Sequence, residues 1–176
     1  MQLAIDELDR APAESFVEAV APLFEGAPRF LARLAAERPF GSFGRLFERA
    51  TEIALEMPEE EQIELIDAHP RLGAPPGSVS ALSFVEQGYD RDSADAAAEE
   101  ARRRVDDRLR ELNAAYESRF GFRYCVFVAG RSRAALIPGF EEALGRRRDD
   151  ELRRALRDVV AIARARLEQA RAGVTA

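Results

Sequence analysis

Pro58-Glu59-Glu60-Glu61-Gln62-Ile63-Glu64-Leu65-Ile66-Asp67-Ala68-His69-Pro70-Arg71-Leu72-Gly73 carries a helix start, a helix body and a helix stop in one run. Proline is tolerated in a first turn, where its missing N–H would have no intrahelical partner. The three glutamates that follow face the positive end of the helix dipole. At the far end, the ring of Pro70 disfavours the α conformation for the residue before it, so His69 is expected extended just past a helix that ends near Ala68. His69 is the only histidine in the chain. An imidazole just beyond the carbonyl end of a helix is favoured in its protonated form, which makes His69 a candidate proton donor. A buried, hydrogen-bonded structural histidine is the competing reading of the same stretch.

Outward from this stretch the apolar residues keep recurring at helical spacing. Upstream, Leu46, Phe47, Ala50, Ile53, Ala54 and Met57 form a stripe over Gly44 to Met57, with Ser42 as its N-cap, and Pro58 either restarts or kinks the helix. Before the Pro39-Phe40-Gly41 break, helices are expected from Glu14 to Phe24 and from Arg29 to Glu37. Downstream, Gly73-Ala74-Pro75-Pro76-Gly77 reads as a loop, Ser80 caps a short helix from Ala81 to Gln87, and Gly88 ends it. A long charged helix is expected to open near Ser93 and close at Gly121, burying Val105, Leu109, Leu112, Ala115, Tyr116 and Phe120. The last two helices cover roughly Ser132 to Leu144, where Pro138 puts the middle in question, and Asp149 to Ala172. The reading is an all-α, single-domain helical bundle over residues 1–176, without repeats or low-complexity tracts.

One segment departs from the pattern. Arg123-Tyr124-Cys125-Val126-Phe127-Val128-Ala129 is aromatic and β-branched, lies between Gly121 and Gly130, and reads as a buried strand with no partner strand elsewhere. Its peptide groups need partners. Neighbouring side chains, loop backbone or water supply them in one reading. In the other, a small ligand rich in amide and carboxylate groups docks there.

Composition limits the function classes. A chain of 176 residues with 47% hydrophobic and 33% charged residues fits one soluble, helix-rich domain. The net charge is −6 and acids are interspersed among the basic residues, all of which are arginine, so a nucleic-acid partner is not expected. One cysteine, Cys125, excludes an internal disulfide, and one His with one Cys is too few for a structural zinc site; a carboxylate-only Mg²⁺ site stays open, but no spacing argues for it and no metal is expected. Met1 to Asp9 lacks a basic region followed by an apolar run, and no stretch is long enough for a membrane span. The expectation is a cytoplasmic protein with no membrane partner.

The second acid–base candidate is Ser83-Phe84-Val85-Glu86-Gln87, in which Ser83, Glu86 and Gln87 share one helical face. Alone, this group reads as solvated helix surface or a capping box. Three islands in order are more specific: His69-Pro70-x-Leu72-Gly73, Ser83-x-x-Glu86-Gln87, and Leu112-Asn113-x-x-Tyr116-x-x-x-Phe120-Gly121-Phe122, followed by Gly130-Arg131-Ser132. Together they resemble the 2-oxo-4-hydroxy-4-carboxy-5-ureidoimidazoline (OHCU) decarboxylases of urate catabolism, over nearly the whole chain. The resemblance implies an all-α bundle and a cofactor-independent carboxy-lyase that forms (S)-allantoin. It implies His69 as proton donor and Glu86 as the carboxylate working beside it. It also implies that Pro70, the helix of Ser83, Phe84, Val85, Glu86 and Gln87, and the backbone of Tyr124, Cys125, Val126, Phe127 and Val128 hold a small-molecule substrate. A homodimer is compatible with it.

The departures from the family pattern are Arg71, where many members carry an acid, Arg123 in place of a proline, Tyr124 in place of a phenylalanine, and a longer charged stretch between Gln87 and Asn113. Two other functions use the same residues: a non-enzymatic helical interaction module with His69 purely structural, and a decarboxylase of the same scaffold acting on another small ureide.

Overall fold

The computed structural model describes residues 4–91 and 96–172, and all regular structure among them is helical. The chain forms two compact groups, residues 1–69 with 153–176, and residues 70–152. The first contains α1 (Ile5–Arg10), α2 (Ala13–Val20) with the 3-10 turn Ala21–Phe24, α3 (Pro28–Ala36), α4 (Phe43–Glu56) and α5 (Glu59–Asp67). The second contains α6 (Ala81–Glu86), α7 (Ala96–Phe120) and α8 (Arg133–Ala143). The last helix, α9 (Arg148–Ala172), opens in the second group, and its residues from 153 onward belong to the first. Among the described residues no helix is long and apolar enough to cross a membrane.

Local chemistry accounts for the boundaries in the first group. Ser42 caps α4, its hydroxyl accepting from the Arg45 N–H at 3.2 Å. Pro58 restarts the helix rather than kinking it, because Met57 is fully extended at ψ 159. Gln62 then closes the open end of α4: its amide donates to the carbonyls of Ala54 at 3.1 Å and Leu55 at 3.0 Å. The carboxylate of Asp9 accepts from the peptide N–H groups of Phe40 and Gly41 at 2.9 and 2.8 Å, pinning the break between α3 and α4. The apolar stripes converge on a core in which Phe16, Phe24, Phe30, Leu34, Ala50, Leu65, Leu156, Val159 and Ala163 are buried.

In the second group Tyr116 of α7 is the hub. The rings of Phe120, Phe122, Tyr124 and Phe140 lie 4.4 to 5.7 Å from its own. Its hydroxyl donates to the buried carboxylate of Glu151 at 2.8 Å, and Arg146 pairs with the other oxygen at 3.0 Å. The strand expected over Arg123 to Ala129 is not formed: residues 123–128 carry no regular secondary structure and pair with no strand among the described residues. Tyr124 stacks on Phe140 at 3.7 Å, and the carbonyls of Phe127 and Val128 accept from the Arg131 guanidinium at 2.6 and 3.0 Å. Arg131 thus takes part of the role a partner strand would have had. Pro138 lies inside α8, which continues through it. Both Pro138 and Ala134, whose carbonyl has no N–H to accept from four residues on, are solvent-exposed. Ser132 caps α8 and Ser80 caps α6. The expected opening of α7 near Ser93 lies outside the described residues.

Candidate active site

His69 follows α5 directly. The helix ends because Pro70 cannot continue it, and the His69 N–H makes a tightened last turn to the Ile66 carbonyl at 3.1 Å. The ring is buried, 3% exposed, and Nδ1 lies 3.2 Å from the carbonyl oxygen of Leu65. A carbonyl oxygen only accepts, so Nδ1 carries the proton and the neutral ring has its lone pair on Nε2.

The protonated ring expected from the helix end is not what the surroundings favour. Burial, and then the positive charge of Arg166, lower the His69 pKa to about 4, against smaller upward pulls from the Leu65 carbonyl and Glu25. A helix end contributes at most about 2 kcal/mol toward the cation. The loss of hydration in a buried position outweighs it. The resting imidazole is therefore neutral near pH 7.

Arg166 and Glu25 were not singled out from the sequence. Arg166 is 2% exposed and donates to the carbonyls of Pro22 at 3.0 Å and Leu23 at 3.3 Å, and to the carboxylate of Glu25 at 2.8 Å. A signal existed in its spacing. Arg166 falls on the same face of α9 as Val159, Ile162 and Ala163, an arginine on an apolar stripe. No comparable signal marked Glu25.

In the second group, the helix Ala81–Glu86 presents its predicted residues in different ways. Ser83 is buried, Phe84 and Glu86 are half-buried, and Val85 is 51% exposed. The Phe84 ring packs 5.5 Å from that of Tyr89. Gln87 is buried, and its amide is engaged with the turn that opens at Pro70. Its oxygen accepts from the Gly73 N–H at 2.8 Å and its nitrogen donates to the Arg71 carbonyl at 3.2 Å. Asn113 holds the same turn from α7, donating to the carbonyls of Leu72 at 2.9 Å and Leu109 at 2.8 Å. The structure thus brings Gln87 and the turn after Pro70 together. Tyr124 and Cys125 are buried, and Val126, Phe127 and Val128 are half-buried.

The departures also have partners. Arg71 forms a two-pronged ion pair with Glu117, whose pKa is lowered first by that hydrogen bond, with a further contribution from the charge of Arg123.

The OHCU decarboxylase family model matches residues 9–168. The 2-oxo-4-hydroxy-4-carboxy-5-ureidoimidazoline decarboxylase of Halalkalicoccus jeotgali is 27% identical over 168 residues, which are 96% of this chain and 92% of that protein. The uric acid degradation bifunctional protein of Bacillus sp. strain TB-90 is 26% identical over 167 residues, 95% of this chain but only 32% of that longer protein. Among solved structures, a crystal structure of OHCU decarboxylase in the presence of (S)-allantoin is similar in fold, with a TM-score of 0.67 at 20% identity, covering 92% of this chain and 99% of that one. With a family match that takes in all but the ends of the sequence, on a helical fold of the same kind, this chain belongs to the OHCU decarboxylase family.

Proposed function

We propose that this chain decarboxylates OHCU to (S)-allantoin without a cofactor, with His69 delivering the proton and Glu86 assisting it. The observation that carries this reading is the extent of the family match, which runs over residues 9–168 and so includes both side chains. Loss of CO₂ from the ring carbon leaves an electron pair that the adjacent ring C=N accepts. What the reaction asks of the protein is orientation, a dry pocket and a proton delivered to one face.

The neutral resting state of His69 sets how that proton arrives. With Nδ1–H committed to Leu65, Nε2 is the working nitrogen. A bound anionic substrate raises the proton affinity of that nitrogen, as an opposite charge does, and the imidazolium forms in the complex rather than before it. Nε2–H then protonates the neighbouring, ureido-bearing ring carbon on one face while the hydroxyl-bearing carbon becomes the carbonyl, which gives one enantiomer. Glu86 steadies the cation and orients the substrate hydroxyl. Pro70, the helix from Ser83 to Gln87 and the backbone of Tyr124 to Val128 hold the ureido and ring amide groups. The side chain of Tyr124 is stacked in the core, so its contribution is through its peptide group.

The test is turnover of freshly generated OHCU, read by circular dichroism against its spontaneous decay. An excess of the S enantiomer that scales with protein concentration is expected. Identical rate and enantiomer ratio with and without protein would end this reading.

A further inference from the structure

Resting on the reading above, we infer that Arg133 is a positioning residue for substrate binding: its guanidinium, set between the Gln87 carbonyl and the Tyr89 ring, fixes the helix Ala81–Glu86 against the turn after Pro70. Its placement, its contacts and its chemistry each support this.

The placement is unfavourable on two counts. Arg133 is the first residue of α8, where the positive end of the helix dipole disfavours a cation. It is also only 7% exposed, and arginine is rarely buried without partners. Arg131 and Ser132, just before it, are exposed. A cation kept where both burial and the dipole oppose it has a task that a solvated arginine would not serve.

The contacts lead to α6. One guanidinium nitrogen donates to the carbonyl of Gln87 at 2.9 Å, at the C-cap of α6, where the last carbonyls of a helix lack N–H partners. The guanidinium carbon lies 4.2 Å from the centre of the Tyr89 ring. Tyr89 packs on Phe84 of α6 at 5.5 Å, and its hydroxyl donates to the Ala74 carbonyl at 2.5 Å. Asp106 of α7 supplies the counter-charge, 3.6 Å from Nε. One cation therefore joins the end of α6, through Tyr89, to the turn that the Gln87 side chain also clamps.

The chemistry of arginine suits both contacts at once. A planar guanidinium donates in its plane while its face rests on a ring, whereas an ammonium is a compact point charge. The helix it steadies is six residues long, too short to hold a position by its own hydrogen bonds. That helix and its C-cap carry Ser83, Glu86 and Gln87, assigned above to the substrate. Loosening their anchor weakens contacts made already in the ground state, so the loss falls first on KM.

KM and kcat for OHCU, and native-state amide hydrogen exchange, are measured in wild type, Arg133→Met, Arg133→Lys, the double variant Arg133→Met with Asp106→Asn, and Tyr116→Phe, which weakens the same group of helices elsewhere. Arg133→Met is expected to raise KM by about tenfold, as a small displacement of binding groups does. Arg133→Lys is expected to recover only part of this, because it keeps the charge without the stacked plane. The Gly73 N–H, held by the Gln87 oxygen, and the Gly88 N–H, held by the Val85 carbonyl, are expected to exchange about tenfold faster in Arg133→Met through local opening. Tyr116→Phe is expected to leave KM and these two amides unchanged, since a general loss of stability lowers the amount of folded enzyme and not its affinity. The double variant leaves no carboxylate facing a lost cation, so it keeps the test readable if Arg133→Met folds poorly, and the same rise in KM is expected. A KM unchanged in both Arg133→Met and the double variant, or one that rises as much in Tyr116→Phe, would overturn the inference. If wild type does not turn over OHCU but the two amides still exchange faster in Arg133→Met, the anchoring of α6 stands and the proposed function fails.

Discussion

The side-chain oxygen of Gln87 accepts the peptide N–H of Gly73 at 2.8 Å, while the nitrogen of the same amide donates to the Arg71 carbonyl at 3.2 Å. One side chain at the end of α6 therefore satisfies both hydrogen-bonding faces of the turn that follows Pro70. Loops that must hold a shape without a ladder or helix need such a clamp.

Replacing Gln87 by alanine leaves a donor and an acceptor of that turn unpaired, which is expected to cost about 2–3 kcal/mol. Urea unfolding checks this: the midpoint falls and the slope is unchanged. Gln87→Glu keeps the acceptor for Gly73 but sets an anion against the Arg71 carbonyl, so it is expected to restore only part of the loss.

Gly73 itself has no room for a side chain. Its φ is +77, and a Cβ there would lie 2.8 Å from Cδ1 and 3.1 Å from Cβ of Leu109. Gly73→Ala combines left-handed strain with a displaced α7 side chain and is expected to destabilise by at least about 2 kcal/mol. Gly41 has a similar φ of +72 with open space around it, so Gly41→Ala carries the strain alone and serves as the control in thermal unfolding.

His69 makes stability depend on pH in a defined window. Its pKa is about 4 in the folded chain against the ordinary 6.5, so the unfolded chain binds the extra proton between those values. Its contribution is complete above pH 6.5, declines as pH falls toward 4, and is flat below. Over that window the loss amounts to about 3 kcal/mol. Unfolding free energies of wild type and His69→Gln, compared at several pH values, are expected to diverge with that sign.

Helix boundaries were legible in the sequence wherever a cap or a proline set them. Ser42 and Ser80 each accept the N–H three residues on, as their positions before apolar runs suggested, and Ser132, read only as the start of its helix, does the same. The six-residue helix Ile5–Arg10 left no trace, because it buries only Leu8 and so has no stripe to read. The candidate site was read as residue types at spacings, His69 before Pro70 and Glu86 beside Gln87. Its electrostatics were not. The protonation state of His69 is set by burial and by Arg166, which is 97 residues further along the chain, and sequence proximity reports neither. The helix end suggested a protonated ring and burial was the competing reading of the same stretch; burial decides the sign.

Tyr116→Phe removes the hydroxyl that donates to Glu151, a carboxylate with no exposed surface, and leaves Arg146 as a partner to its other oxygen. The ring contacts to Phe120, Phe122, Tyr124 and Phe140 survive the change, so the expected loss is that of one charge-assisted hydrogen bond, about 1–3 kcal/mol. Tyr116→Leu, which also removes the ring from the cluster, is expected to cost more in the same urea titration.

The central claim is that one imidazole carries the proton. The most direct test compares wild type and His69→Gln on freshly generated OHCU at neutral pH, following the optical activity of the product while circular dichroism in the far ultraviolet confirms that both are folded. The expected result is rapid formation of (S)-allantoin by wild type and a rate and enantiomer ratio for His69→Gln that match spontaneous decay. A folded His69→Gln protein that still yields (S)-allantoin at the wild-type rate would contradict the account.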